Sequence, residues 1–244
     1  MQQTAGAPQE NDGKRRRMSP DARRESILDA AQAVFLRMGW DAVTVADVVA
    51  EAGISKGGFY HHFPAKEDLF DGLVHRMIGQ AMGAAQAGQN AAEGNALSRF
   101  NAFIVATNQW RLDRAPELQF ITDVLLRPEN ELLFHRINAA ACREALPVVR
   151  TMIEEGVAEG CFHVTDAMLT AEMILALGMG RRDVSQRAIA LARGGELDRA
   201  IRLINDRMIA EGEMHDRLLG LPPGSIALAD TEEFRLMLTQ IAAA

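Results

Sequence analysis

Residues 52–70 read "AGISKGGFYHHFPAKEDLF". Paired glycines, Gly57-Gly58, stand beside Tyr60, the only tyrosine of the chain, between flanks with helical patterning. Glycine weakens a helix but lets another surface approach the backbone closely. Ser55 is placed to cap a helix that Pro64 ends, so the stretch predicts a short helix to about Phe63. On a wheel of about 100° per residue, Phe59 and Phe63 share one edge. Lys56, Gly57, Tyr60 and His61 make up the polar face, while His62 falls near the buried edge. The helix therefore has an apolar root and a polar face with little side chain at its start. Its free N–H groups and positive dipole end suit an anion such as phosphate.

Working outward, Thr44 with Asp47 three residues on forms a loose capping box for a preceding short helix. Val45, Val48, Val49 and Ala52 make its apolar stripe, and Gly53 breaks it. Before that, Ser19-Pro20 opens a helix whose Ile27, Leu28, Ala31, Val34, Phe35 and Met38 recur at helical spacing. Gly39 stops it, with Trp40 placed to pack back on Phe35. A fourth helix begins near Ala65 and runs into the stretch 79–92. Two short helices joined by a tight glycine turn, the second with a polar face, make a helix-turn-helix over about 44–63.

"TVADVVAEAGISKGGFYHHFPAKEDLF" resembles the DNA-binding signature of TetR-family transcriptional regulators. The shared features are the Thr cap, Val48-Val49, Ala52-Gly53-Ile54-Ser55, Gly57, Phe59, Tyr60, Phe63, and Lys66 with Glu67 and Leu69. The resemblance covers about residues 21–81. It implies a double-stranded DNA operator as partner. It also implies phosphate contacts from Thr44, Ser55, Tyr60, His62 and Lys66. Lys56, Gly57, Gly58 and His61 would then face base edges or backbone in the major groove. Two positions depart from the common pattern: Gly58, where many relatives carry a side chain, and Ala65, where many carry a capping residue.

Composition agrees with an all-α fold: helix formers dominate, and aromatics make up only 5 %. The expected organisation is a disordered basic arm over 1–18, with Lys14 to Arg17, and a helix-turn-helix domain over 19–81. A helical regulatory and dimerisation domain follows over 82–244. Its helical patterns run roughly 93–113, 116–127, 129–158, 166–192, 196–220 and 230–242, with Pro147 expected to kink the third. The net charge of −7 is unevenly spread. Residues 1–66 hold nine Lys/Arg and eight Asp/Glu, whereas 67–244 hold seventeen and twenty-five. A basic face therefore remains available at the N-terminal end.

Cys142 and Cys161, with no CxxC pair, suggest a reduced, cytoplasmic protein. The basic N-terminal stretch lacks the apolar run of a signal peptide, and nothing approaches the ~20 apolar residues of a membrane span. Adjacent His61 and His62 point apart and have no ligand-spaced companion, so no metal site or cofactor is expected. The chain carries no GxSxG, HExxH, Walker or dinucleotide motif, and an enzyme is not expected.

In the C-terminal part, Phe103, Trp110, Phe120, His135 and Asn138 are candidates for a small apolar effector, with ordinary helix core as the competing reading. The acidic balance favours a cationic or neutral ligand. Ala171, Ile174, Leu175 and Gly178 form a small-residue stripe suited to close helix packing, either within the chain or across a homodimer. The expected function is a ligand-responsive repressor that binds a near-palindromic operator as a dimer. An activator or ligand-independent repressor is the alternative within regulators; a small-molecule-binding or enzymatic helical protein is the alternative outside them.

Overall fold

The computed structural model describes residues 18–228 and 231–243. The basic cluster Lys14–Arg17 lies outside them. Among the described residues there are eleven α-helices and no strand. Helix α1 (Pro20–Met38) starts where Ser19 Oγ accepts from Ala22 N–H at 3.2 Å, with Pro20 at its first position. It ends at Gly39, whose φ of 78° is a conformation that a Cβ would oppose. Helix α2 (Val45–Glu51) and helix α3 (Lys56–His62) follow, joined through Gly53 at φ 61°.

Helix α4 (Lys66–Ala91) begins without a side-chain cap from Ala65. Asp68 Oδ2 instead accepts the Ala65 N–H at 2.8 Å, which answers the missing capping residue from three positions downstream. The expected domain boundary at 81/82 falls inside α4. Its first turns belong to the N-terminal core through Leu69 and Leu73, and its later turns lie along α5 (Ala96–Asp113). There Gly88 faces Ala102 and Ala106 with no room for a Cβ, so the two helices approach closely.

The remaining helices are α6 (Ala115–Leu125), α7 (Glu131–Ala158), α8 (Ala167–Met179), α9 (Arg182–Arg193), α10 (Leu197–Leu219) and α11 (Thr231–Ala243). The single pattern expected over 166–192 is thus two helices. Gly178 and Gly180 weaken the join, where the Gly180 N–H closes the last turn on Ala176 O. Helix α7 runs through Pro147 as one element.

Three apolar clusters hold the molecule together. The N-terminal one gathers Ile27, Leu28, Val34, Phe35, Phe59 and Phe63 with neighbours from α1 to α4. The middle one joins Phe70, Val74 and Met77 of α4 to Trp110, Val124 and Ile137. The largest is built from α5 and α7 to α11, around Ile153, Ala171, Ala188, Ala200 and Leu219. Arg76 ties α4 to α1 at three acceptors, with Asp29 Oδ1 at 2.6 Å and Gln32 Oε1 at 2.5 Å the nearest. No helix among the described residues is long and apolar enough to cross a membrane.

The small-residue stripe is divided by the fold. Ala171 and Ile174 are buried in the chain's own bundle and Leu175 packs against it, because α8 lies on α7 and α10. The side of α8 left to solvent carries Met168, Leu169 and Met173 instead.

Candidate functional site

The polar face of α3 is set by its two ends. Ser55 Oγ accepts the Gly58 N–H at 3.1 Å and fixes the first turn. Phe59 and Phe63 are buried, and Arg24 covers the Phe63 ring at 4.9 Å. With that edge anchored, Lys56, Gly57, Tyr60 and His61 are exposed, as are Ser55 and Thr44, while Gly58 and His62 are half-buried. Tyr60 stands edge-on to Phe59, with ring centroids 5.3 Å apart, and keeps 46 % of its surface.

Thr44 completes the box that caps α2. Its N–H and Oγ–H both donate to Asp47 Oδ2, at 2.8 and 2.6 Å, and its Oγ1 accepts the Asp47 N–H at 3.3 Å. These bonds hold the Asp47 carboxyl below its usual range. Two capped helix starts and one exposed helix face therefore present polar groups to solvent, with no carboxylate on the α3 face itself.

Lys66 is arranged differently from the other candidates. Its ammonium donates to the Trp40 carbonyl and sits 4.3 Å from the Trp40 ring centroid. Partial burial lowers its pKa. An ammonium has three protons, so two remain for an outside acceptor.

The five residues chosen for a ligand do not come together. Phe120 stacks on Phe35 at 5.6 Å and stands edge-on to Phe70, joining α6 to the N-terminal core. Trp110 is buried beneath Arg114. Phe103 packs against the largest cluster. His135 is exposed, 3.8 Å from Glu131, and Asn138 Nδ2 donates to Phe134 O within its own helix. None of the five lines the cavity of about 300 Å³ that lies between α5, α6 and α9 to α11. Leu112, Leu118, Ile189, Ile204 and Met208 form much of its wall, and α11 adds Phe234 and Leu238. Polar groups enter from Asn108, Arg111, Gln119, Arg181 and Ser185. Residue type points to large aromatics; the signal in the sequence for the neighbourhood of the cavity is the amphipathic face of α9 around Ser185 and Ile189.

Helix α6 touches both regions. Leu118, Gln119 and Thr122 face the cavity, while Phe120 packs on the N-terminal core. Arg127 just beyond it pairs with Asp41 at 2.9 Å and lowers the Asp41 pKa. Gln186 of α9 donates to Leu126 O and Arg182 to Arg127 O, so the cavity wall and the α6 terminus are linked by hydrogen bonds.

A buried pattern of a different kind occurs on α10, and it is charged. Glu211, 2 % exposed, lies between Arg207 Nε at 2.6 Å and Arg181 Nη2 at 2.5 Å. Neighbouring His215 is buried beside Glu211, Asp216 and the Ile174 backbone. Burial and then the Arg181 charge push its pKa down to about 4, against Glu211 and Asp216. Among the described residues no group of His, Cys, Asp and Glu is arranged to hold a metal.

Residues 27–73 match the family model described as bacterial regulatory proteins, tetR family. Over 62 residues the chain is 37 % identical to the uncharacterized HTH-type transcriptional regulator YfiR of Bacillus subtilis, covering 25 % of this chain and 30 % of that protein. Over 58 residues it is 43 % identical to the HTH-type transcriptional repressor KstR2 of Mycobacterium tuberculosis, covering 24 % and 29 %. The match thus spans about three tenths of the length of these curated relatives. Among solved structures, the fatty acid degradation regulator FadR from Bacillus halodurans aligns with a TM-score of 0.52 at 21 % identity, over 83 % of this chain and 96 % of that one. At that identity the likeness is one of fold.

Proposed function

We propose that this chain is a TetR-family repressor that grips a near-palindromic operator as a homodimer and lets go when a small molecule fills the cavity. The observation that carries the DNA half of this reading is the exposed α3 face of Lys56, Gly57, Tyr60 and His61, rooted by buried Phe59 and Phe63. Thr44, Ser55, Tyr60 and His62 bind phosphates, which set the register. Lys66 joins them with the protons Trp40 leaves it. Lys56 and His61 read base edges, and Gly57 and Gly58 admit the DNA backbone.

The release half is supported by α6, whose opposite faces meet the cavity and the N-terminal core. A ligand shifts the equilibrium only by binding one arrangement better than the other, and α6 is where such a difference reaches Phe35 and Phe70. A homodimer formed through the exposed side of α8, with Met168, Leu169 and Met173, places two reading helices on one operator. This regulator works in the cytoplasm, where its DNA is.

Footprinting on DNA upstream of the protein's own gene tests the reading. Protection should be near-palindromic, with half-sites one helical turn or a multiple apart, ~34–36 Å per turn. Lys56→Ala and His61→Ala should change base preference, whereas Lys66→Ala should weaken all sequences and reduce the salt slope by ~0.9 for the lost phosphate contact. A monomer in sedimentation at micromolar concentration, with a non-palindromic footprint, overturns it.

A further inference from the structure

The cavity wall has a charge that the rest of its half does not. Residues 67–244 carry eight more acids than bases, seventeen Lys/Arg against twenty-five Asp/Glu. Much of that acidity is on the outside: the Asp198 and Glu232 side chains are 73 % and 72 % exposed. Water and salt screen such groups strongly, so they say little about an enclosed space. The cavity lining contains Arg111 and Arg181 and no carboxylate among the described residues.

Arg181 is not neutralised by its partner. Glu211 accepts Arg181 Nε and Nη2 through one oxygen and Arg207 Nε through the other. Two cations and one anion leave the triad with one positive charge. Glu211 is buried and held from both sides, so it has no freedom to follow a ligand. Nη1 of Arg181 remains outside the ion pair. Asp216, the other buried acid of α10, spends both oxygens on the N–H groups of Gly224 and Ile226, at 2.7 and 2.9 Å. Arg111 is steered by Asn108 Oδ1 at 3.3 Å. Gln119 and Ser185 add neutral donors on the same lining. The rest of the wall is aliphatic or aromatic, from Leu118 to Leu238.

We infer that this cavity takes an amphipathic anion: an apolar chain or ring body seated among Leu118, Ile204, Met208 and Leu238, with a carboxylate-like head on the Arg181 side. An excess cation on a mostly apolar wall, with Arg181 keeping only 28 % of its side-chain surface, is poorly hydrated, and a ligand carboxylate supplies a counter-charge through a charge-assisted, two-pronged hydrogen bond. A cationic head would meet the excess positive charge of the Arg181–Glu211–Arg207 triad. This corrects the preference for a cationic or neutral ligand that overall charge gives. The inference rests on the ligand-release reading only for its biological meaning; binding itself does not depend on DNA.

The test uses the full chain and three probes of one chain length, each below its micelle concentration: decanoate, decanol and decyltrimethylammonium. Calorimetric titration should rank them in that order, with decanoate about tenfold tighter than decanol, the difference between charged and neutral hydrogen bonding. Arg181→Gln should remove most of that gap, and Arg181→Lys should restore part of it. Ser185→Asp, which adds an acid to the lining without touching the Glu211 triad, should reverse the order of the two charged probes. Equal affinities, a preference for the ammonium probe, or no saturable binding of any of the three overturns the inference, even if Arg181→Gln fails to fold. Operator affinity is then measured with and without decanoate. Saturable binding that leaves operator affinity unchanged supports the site and sinks the release reading alone.

Discussion

The two halves of the molecule treat buried polarity in opposite ways. In the N-terminal cluster every buried side chain is apolar, from Ile27 through Phe35 to Phe63. Its polar groups are all turned outward, onto the α2 and α3 starts and the Tyr60 face. The C-terminal half contains all four buried polar residues among those described, Thr170, Glu211, His215 and Asp216, and the cavity. A buried ion triad and an open space both lower stability relative to a filled apolar core. The first half thus resembles a rigid mount for a surface. The second keeps charge and volume inside, which is what recognition of a small molecule requires. The difference teaches that polarity is placed oppositely in the two regions: one carries it on its outside, the other partly on its inside.

Mutations can break that contrast. The largest effect is expected from Phe59→Ala, which removes a fully buried ring and should cost about 3–5 kcal/mol in urea unfolding. Hydrogen exchange should show α1 to α3 losing protection while α10 keeps it. Equal loss in both halves would mean they unfold as one unit and the contrast is only compositional. Next comes Glu211→Ala, which leaves Arg181 and Arg207 facing each other. The expected cost is about 3 kcal/mol, at the low end for a broken buried pair because both arginines keep about 30 % of their side-chain surface. A neutral or stabilising result would show that the triad is not needed in the folded state.

His215 gives a pH test of the same contrast. Its folded-state pKa of about 4 lies below the ordinary 6.5, so the unfolded chain takes up the proton first. Its contribution to stability is complete above pH 6.5 and is lost as pH falls towards 4. The slope approaches about 1.4 kcal/mol per pH unit, and the total loss is on the order of 3 kcal/mol. The difference in stability between wild type and His215→Asn should therefore change across pH 6.5–4 and stay flat from 7 to 8. Parallel pH profiles for the two proteins would remove His215 from the account. The smallest effect is expected from Thr44→Ala, which deletes the α2 cap and should cost about 1 kcal/mol by the same urea measurement. A cost as large as that of Glu211→Ala would mean the outward-facing polar groups matter to stability as much as the inward ones.

Legibility followed the range of the interactions. The α1, α2 and α3 starts were readable because Ser19, Thr44 and Ser55 each act on an N–H three residues on. The root of the reading helix was readable because Phe59 and Phe63 are one turn apart. The break at 180 had a local sign in its two glycines, but the strong apolar pattern on both sides obscured it. The candidates Phe103, Trp110, Phe120, His135 and Asn138 were picked by residue type, and type does not say which neighbour a side chain meets. Phe120 turned out to bridge to Phe35, eighty-five positions earlier in the chain.

By itself the sequence determined the helical class, the caps, the exposed polar face of α3 and the likeness of its first helices to TetR-type regulators, because each depends on periodicity or on bonds spanning a few residues. Only the tertiary structure decided where the cavity lies, that Arg181 shares Glu211 with Arg207, that Ala171 and Ile174 face inward, and that Lys66 is tied to Trp40. A cavity is the space left between helices, and its lining here runs from Asn108 to Leu238. Which residues border it follows from how α5, α6 and α9 to α11 pack together, and no local pattern encodes that.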